Sequence, residues 1–317
     1  KDYKMVTHED NVLERVRILI EQYRLGIGLG RITDADCQEA MLDTLLDDIA
    51  GLYRDELPLA RILDSSDLVI HAEGAAIKKE ILKLRALNAL TENANNSLVN
   101  LVANSFKHVE PKLAKKQLSI DVTGMAPGSL FIGTKIRLKD APDLFEDEDQ
   151  SLVENSLSAL YQAISFIKDD AIDPEITDAI ADPAMRDSTM IAALGLSPSG
   201  KQGISQIGIF SPSKTQTQVL TSADRKILRE SIRKGIGTRT KEIKLQGEVR
   251  EINLDTYRFV VKTKEDIVVR CLLSSLNKGL AQQLIGKQVV VRGYGEFDKN
   301  NNPRLVTVKD PSDILNW

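Results

Sequence analysis

At 317 residues the chain is long enough for two or three domains and too long for one comfortable core. Its 42% apolar and 28% charged residues are ordinary for a globular protein, which sets aside disordered, collagen-like and disulfide-dense classes. The net charge of −4 hides a division: residues 1–200 carry 21 Lys+Arg against 34 Asp+Glu, net −13, and residues 201–317 carry 21 against 12, net +9. A polyanion would be repelled by the first part and drawn to the second, unless the two regions attract each other within the fold.

The longest apolar runs, such as Ile70 to Ile77, are interrupted by Glu73 and fall short of a bilayer span, so no membrane partner is expected. Cys37 and Cys271 lack C-x-x-C spacing, which argues against a disulfide framework or a zinc site and points to the cytoplasm. Asp2-Tyr3-Lys4 reads as a tag remnant ahead of a natural start at Met5.

Residues 10–109 read as helical almost throughout. Val12, Val16, Leu19, Ile20 and Tyr23 form an amphipathic stripe that Gly26 ends. Thr33 or Asp34 caps a second helix with Met41, Leu45, Ile49 and Leu52 on one side. A third helical region covers roughly Leu59 to Val109, broken near Asp64-Ser65-Ser66. These broad apolar stripes suit a homodimer contact or a protein partner.

After Pro111 the period changes to two. Leu118, Ile120 and Val122 alternate with polar neighbours, and Gly124 to Gly128 supplies a turn between two strands. An acidic loop, EDEDQ, leads into a helix with Leu152, Leu157, Leu160, Tyr161 and Ile164 on its apolar side. Helical segments around Pro174 to Ala181 and Pro183 to Leu194 precede a second hairpin-like pair within residues 203–221. A helix capped by Thr221 or Ser222 follows, with Ile227, Leu228 and Ile232 inward and Arg225, Lys226, Arg229, Arg233 and Lys234 on more than one face. Gly235 and Gly237 mark a linker.

From Lys241 the order is three strands, a short helix with Leu280 and Leu284 on one side, and two strands. Alternation puts Leu245, Val249, Tyr257, Phe259, Val261, Ile267, Val269, Cys271, Val289 and Val291 on one face, enough to fill a small barrel. Arg250, Arg258, Lys262, Arg270, Arg292 and Tyr294 fall on the other. In element order and spacing this stretch, about a quarter of the chain, resembles the OB-fold. The resemblance implies nucleic-acid contact across the second and third strands, through Arg258, Lys262 and Arg270. The flanking loops would be Asn253 to Asp255 and Lys299 to Asn302. Exposed aromatic platforms are few, since Tyr257 and Phe259 are assigned inward, and OB-type barrels also dock proteins.

Other signals are weaker. GIGLGR at Gly26 to Arg31 follows a helix and lacks dinucleotide spacing. Ser129 has no G-x-S-x-G frame, and His8, His71 and His108 lie far from it and from both cysteines in sequence. Asp121, Ser129 and Lys201 remain the residues around which a site in the central unit would form. No catalytic residue, metal ligand or cofactor is assigned.

The expected fold is α+β and multidomain: a helical body over 5–110, an α+β unit with β-hairpins over 111–237, and an OB-like five-stranded barrel over 241–317. The expected function is non-catalytic binding of DNA or RNA through Arg250, Arg258, Lys262, Arg270, Arg292, Tyr294 and Lys299. The alternative is a protein-docking adaptor or regulatory subunit, such as an accessory component of a bacterial defence or mobile-element system.

Overall fold

The computed structural model describes residues 7–29, 34–77, 82–106, 111–126, 130–138, 146–212, 214, 216–235, 240–298 and 300–316. The fold is mixed helix and sheet, with a helical N-terminal region and a closed five-stranded barrel in the C-terminal part. Among the described residues no helix is long and apolar enough to cross a membrane.

The N-terminal body comprises α1 (His8–Gly28), α2 (Ala35–Gly51) and, after a π-helical turn at Leu52–Glu56, α3 (Leu57–Ser65). Helix α1 starts where it does because Thr7 and Asp10 satisfy each other's backbone N–H groups in a capping box. Val12 and Val16 bury against Leu52, Leu57 and Ala60 in a small core of their own.

Strand β1 (Leu68–Glu73) departs from the helix expected over residues 59–109. It is the central strand of a five-stranded antiparallel sheet, and Leu68, Val69 and Ile70 are fully buried. A strand covered on both faces shows no polar alternation, so its apolar run merges with the neighbouring helical pattern.

Around it the α+β unit adds α4 (Leu84–Ala103), α5 (Pro111–Gln117), and the hairpin β2 (Leu118–Ala126) and β3 (Leu130–Leu138). Next come α6 (Glu146–Ser165), the short α7 (Ile176–Ala179) and α8 (Pro183–Leu196). The pair β4 (Gln206–Phe210) and β5 (Gln218–Thr221) and helix α9 (Ser222–Lys234) complete it. The EDEDQ stretch expected as a loop is the opening of α6 instead. Sheet order is β2-β3-β1-β4-β5. One core joins Leu68 and Ile70 to Leu90, Leu98 and Leu101 of α4, Leu160 of α6 and Met190 of α8, so β1 and α4 belong to this unit's interior. On the other side of the sheet, Ile62 of α3 meets Val69 and Ala126.

The barrel comprises β6 (Lys241–Asn253), β7 (Arg258–Thr263), β8 (Val268–Leu273), α10 (Lys278–Leu284), β9 (Gln288–Phe297) and β10 (Pro303–Val308). The short β11 (Ile314–Asn316) pairs with β9. Strands run in the order β10-β8-β7-β6-β9, and the β9–β10 pairing closes the cylinder. Strand β10 is parallel to β8; the other ladders are antiparallel. All ten residues assigned inward lie in or against the barrel core, joined by Leu273, Leu276, Leu284, Val306 and Val308. Gly247 lets the wall close: a Cβ there would lie 2.3 Å from the Lys262 carbonyl oxygen.

Candidate polyanion-binding cleft

The outer face of β7 and β8, expected to meet solvent, is the seam between the barrel and the α+β unit. Arg258 and Arg270 are 4% and 7% exposed, and both guanidinium groups close on Asp187 of α8. Arg258 Nε donates to Asp187 Oδ2 at 3.2 Å, and Arg270 Nη1 donates to the same oxygen at 2.8 Å. Arg258 also donates to the Ile232 carbonyl at 3.0 Å and Arg270 to Ser188 Oγ at 2.8 Å. Burial opposes ionisation of Asp187, but the two guanidinium groups hold its carboxyl below the usual range.

Beside this triad Arg186 pairs with Glu296, whose carboxyl is pushed up by burial, and Arg304 reaches Asp182 at 3.4 Å. Outward from a barrel is not outward to water when a helix covers the wall. Arg258 and Arg270 therefore bind an internal carboxylate instead of meeting solvent, and their planar forks and buried charge serve docking.

The other expected contacts are scattered. Arg250 pairs with Glu248 at 3.0 Å and Lys262 with Asp266 at 3.2 Å. Arg292 and Tyr294 line a groove of about 490 Å³ with Lys244, Lys309, Glu242 and Asp313, where acids offset most of the positive charge. Lys309 sits 4.4 Å from the Tyr294 ring centroid, and Tyr294 donates to Glu242 at 3.2 Å. Lys299 lies outside the described residues, as do Ser129 and His108.

Of the central-unit candidates, Asp121 lies on β2 and Lys201 in the turn after α8. Asp121 is held by Arg137 at 2.9 Å in a surface pair, and Lys201 is exposed in a loop. His8 binds Asp64 at 2.7 Å, while His71 stacks on Phe131 with ring centroids 4.1 Å apart. Among the described residues no group of three or more His, Cys, Asp or Glu side chains could hold a metal.

A different site emerges where the two units meet. Helices α4 and α9 both pack on α8 and leave it as the floor of a cleft of about 620 Å³. Ile191, Leu194 and Gly195 of α8 form that floor. Gly195 permits the close approach, since a Cβ there would lie 2.2 Å from Ser97 Oγ of α4. One wall carries Arg225, Arg229 and Arg233 of α9; the β6–β7 loop, through Asn253, Asp255, Thr256 and Tyr257, closes the end.

The three arginines recur every fourth residue, so α9 presents them as one row. Capping by Thr221 and Asp224 fixes where the helix begins and hence which way the row faces. Arg225 donates to the carbonyls of Leu194 and Ser197 at 2.6 and 2.7 Å, satisfying the end of α8. Arg233 lies 4.9 Å from the Tyr257 ring centroid and donates to its hydroxyl at 2.7 Å. Arg229 is exposed and pairs with no described residue. Burial and the neighbouring Arg229 charge together lower the Arg225 pKa.

Asp255 is the one carboxylate among the described lining residues. The cleft is therefore net cationic, with like charges held side by side. Tyr257, which completes it, has φ of 58°, a conformation a bulky side chain rarely adopts. Its carbonyl is held by the Leu273 N–H at 3.0 Å.

Comparison with protein-family models, curated proteins and solved structures finds no match. Sequence reading spread the basic residues of α9 over more than one face and passed over the row, although Arg225, Arg229 and Arg233 stand at i, i+4 and i+8. What sequence could not supply was α4 opposite them, seen only once both helices lie on α8.

Proposed function

We propose that the protein is a non-catalytic nucleic-acid-binding protein whose contact surface is the arginine-lined cleft beside the barrel. The observation that supports this most is the row Arg225, Arg229, Arg233, with Arg229 lacking a carboxylate partner among the described residues. Phosphates supply the counter-charge such a row lacks, and guanidinium groups meet phosphate oxygens in bidentate geometry. Four residues of helix rise about 6 Å, so successive guanidinium groups can follow successive phosphates along a strand.

The test is binding of a labelled nucleic acid by the full chain. Arg229→Glu is expected to weaken binding at least tenfold and to flatten its salt dependence, because a protein that neutralises fewer phosphates releases fewer counterions. Arg229 is exposed, so the variant should stay folded. Unchanged binding by this variant would reject the cleft.

A second reading, protein contact, is favoured by α2. Its described residues include none that is buried, while Met41, Leu42 and Leu46 are exposed. We propose that this face pairs with a second copy of the chain, the homodimer contact expected of the helical N-terminal body. A cytoplasmic location suits both readings and the two free cysteines.

A further inference from the structure

We infer that the cleft takes a single-stranded segment, its phosphates along α9 and its base edges against α4. The inference rests on the polyanion-binding reading and adds a second, independent wall.

That wall is a row of asparagines. Asn93, Asn96 and Asn100 stand at i, i+3 and i+7 on α4 and line the same cleft as the arginine row. Their carboxamides have no side-chain partner among the described residues, although each offers two donors and an acceptor. Polar side chains so aligned across from three arginines leave hydrogen-bonding capacity that only water or a ligand fills. Carboxamides match the adjacent donor and acceptor on base edges, and they add nothing to a phosphate's charge. One wall thus suits the backbone of a strand and the facing wall suits its bases.

The space between them is an open cleft of about 620 Å³, room for a short stretch of one strand. In a duplex the Watson–Crick edges are paired, whereas in a single strand they are free to splay and meet a carboxamide. The half-buried Ile191 and Leu194 floor offers apolar surface to base faces. The site lies beside the barrel, because the face expected from the resemblance is closed by Asp187.

The experiment measures fluorescence anisotropy of the full chain with labelled 12-nucleotide homopolymers of DNA and RNA, the matching duplexes, and competing heparin and adenosine triphosphate. Single strands are expected to bind at least tenfold tighter than duplexes and to differ among homopolymers. Asn93→Leu with Asn96→Leu should erase the differences among homopolymers and leave heparin binding intact; Arg229→Glu should weaken every ligand.

Duplex binding as tight as single-strand binding, or no effect of the asparagine pair on homopolymer preference, overturns the inference and leaves the polyanion reading standing. Adenosine triphosphate binding as tightly as the strand overturns it in favour of a nucleotide pocket. If Arg229→Glu changes nothing, both fail. Circular dichroism establishes that each variant is folded.

Discussion

At the scale of single residues, Asp187 decides how the molecule holds together. One carboxylate answers two buried guanidinium groups from neighbouring strands, and removing it would strand both charges away from water. Asp187→Asn is therefore expected to cost about 3–5 kcal/mol, measured as a fall in the urea midpoint. Replacing all three partners with apolar residues of similar volume should recover most of that stability. By the same argument Arg258→Glu with Arg270→Glu breaks the seam and says nothing about a ligand surface.

His71 offers a second residue-scale test. It stacks on Phe131 and lies 6.0 Å from Phe210 by ring centroids, and burial lowers its pKa although Glu73 at 3.4 Å opposes this. The unfolded chain therefore takes up a proton at higher pH than the folded one. Stability is full above the ordinary histidine value of 6.5 and declines as pH falls through it. Urea midpoints measured between pH 7.5 and 5 should show that decline, and His71→Phe should remove this component.

At the scale of elements, α2 differs from every other long helix in what it leaves uncovered. Helix α4 buries Leu90, Leu98, Leu101 and Val102, whereas α2 rests on α1 and the π-helical turn with no described side chain buried. An apolar face of this kind is a docking surface when it is continuous. Leu42→Asp with Leu46→Asp is expected to halve the mass seen by light scattering without shifting the melting curve of the barrel. A wild-type monomer at all concentrations would dispose of the pairing.

Elements also show where sequence reasoning held and where it did not. Strand β6 of the barrel was legible because Leu245 and Val249 stand between polar neighbours, so the pleat separates core from surface. Strand β1 was not, because Leu68, Val69 and Ile70 are all buried and the period-two signal vanishes. The β2–β3 and β4–β5 hairpins and α9 fell between those cases, marked by turns and caps.

For the whole molecule, the division of charge has two consequences that composition alone could not separate. Part of it is neutralised internally: Arg258, Arg270 and Arg304 of the basic region meet Asp187 and Asp182 of the acidic one. Another part stays available, since Arg229 and the exposed Lys226 and Lys234 have no carboxylate partner among the described residues. Alternation told which side of a strand each arginine occupies, but which side faces water depends on a partner far away in sequence. Of the expected contact residues on the described barrel strands, then, orientation was legible and environment was not.

The cleft is bounded by α9 and α4 on one unit and by the β6–β7 loop on the other, so its closed end exists only while the barrel stays seated on α8. An occupant gripping both sides acts as a strap. Reciprocity then requires that whatever loosens the Asp187 clasp also loosens the occupant's hold, and that occupancy in turn makes the clasp harder to open.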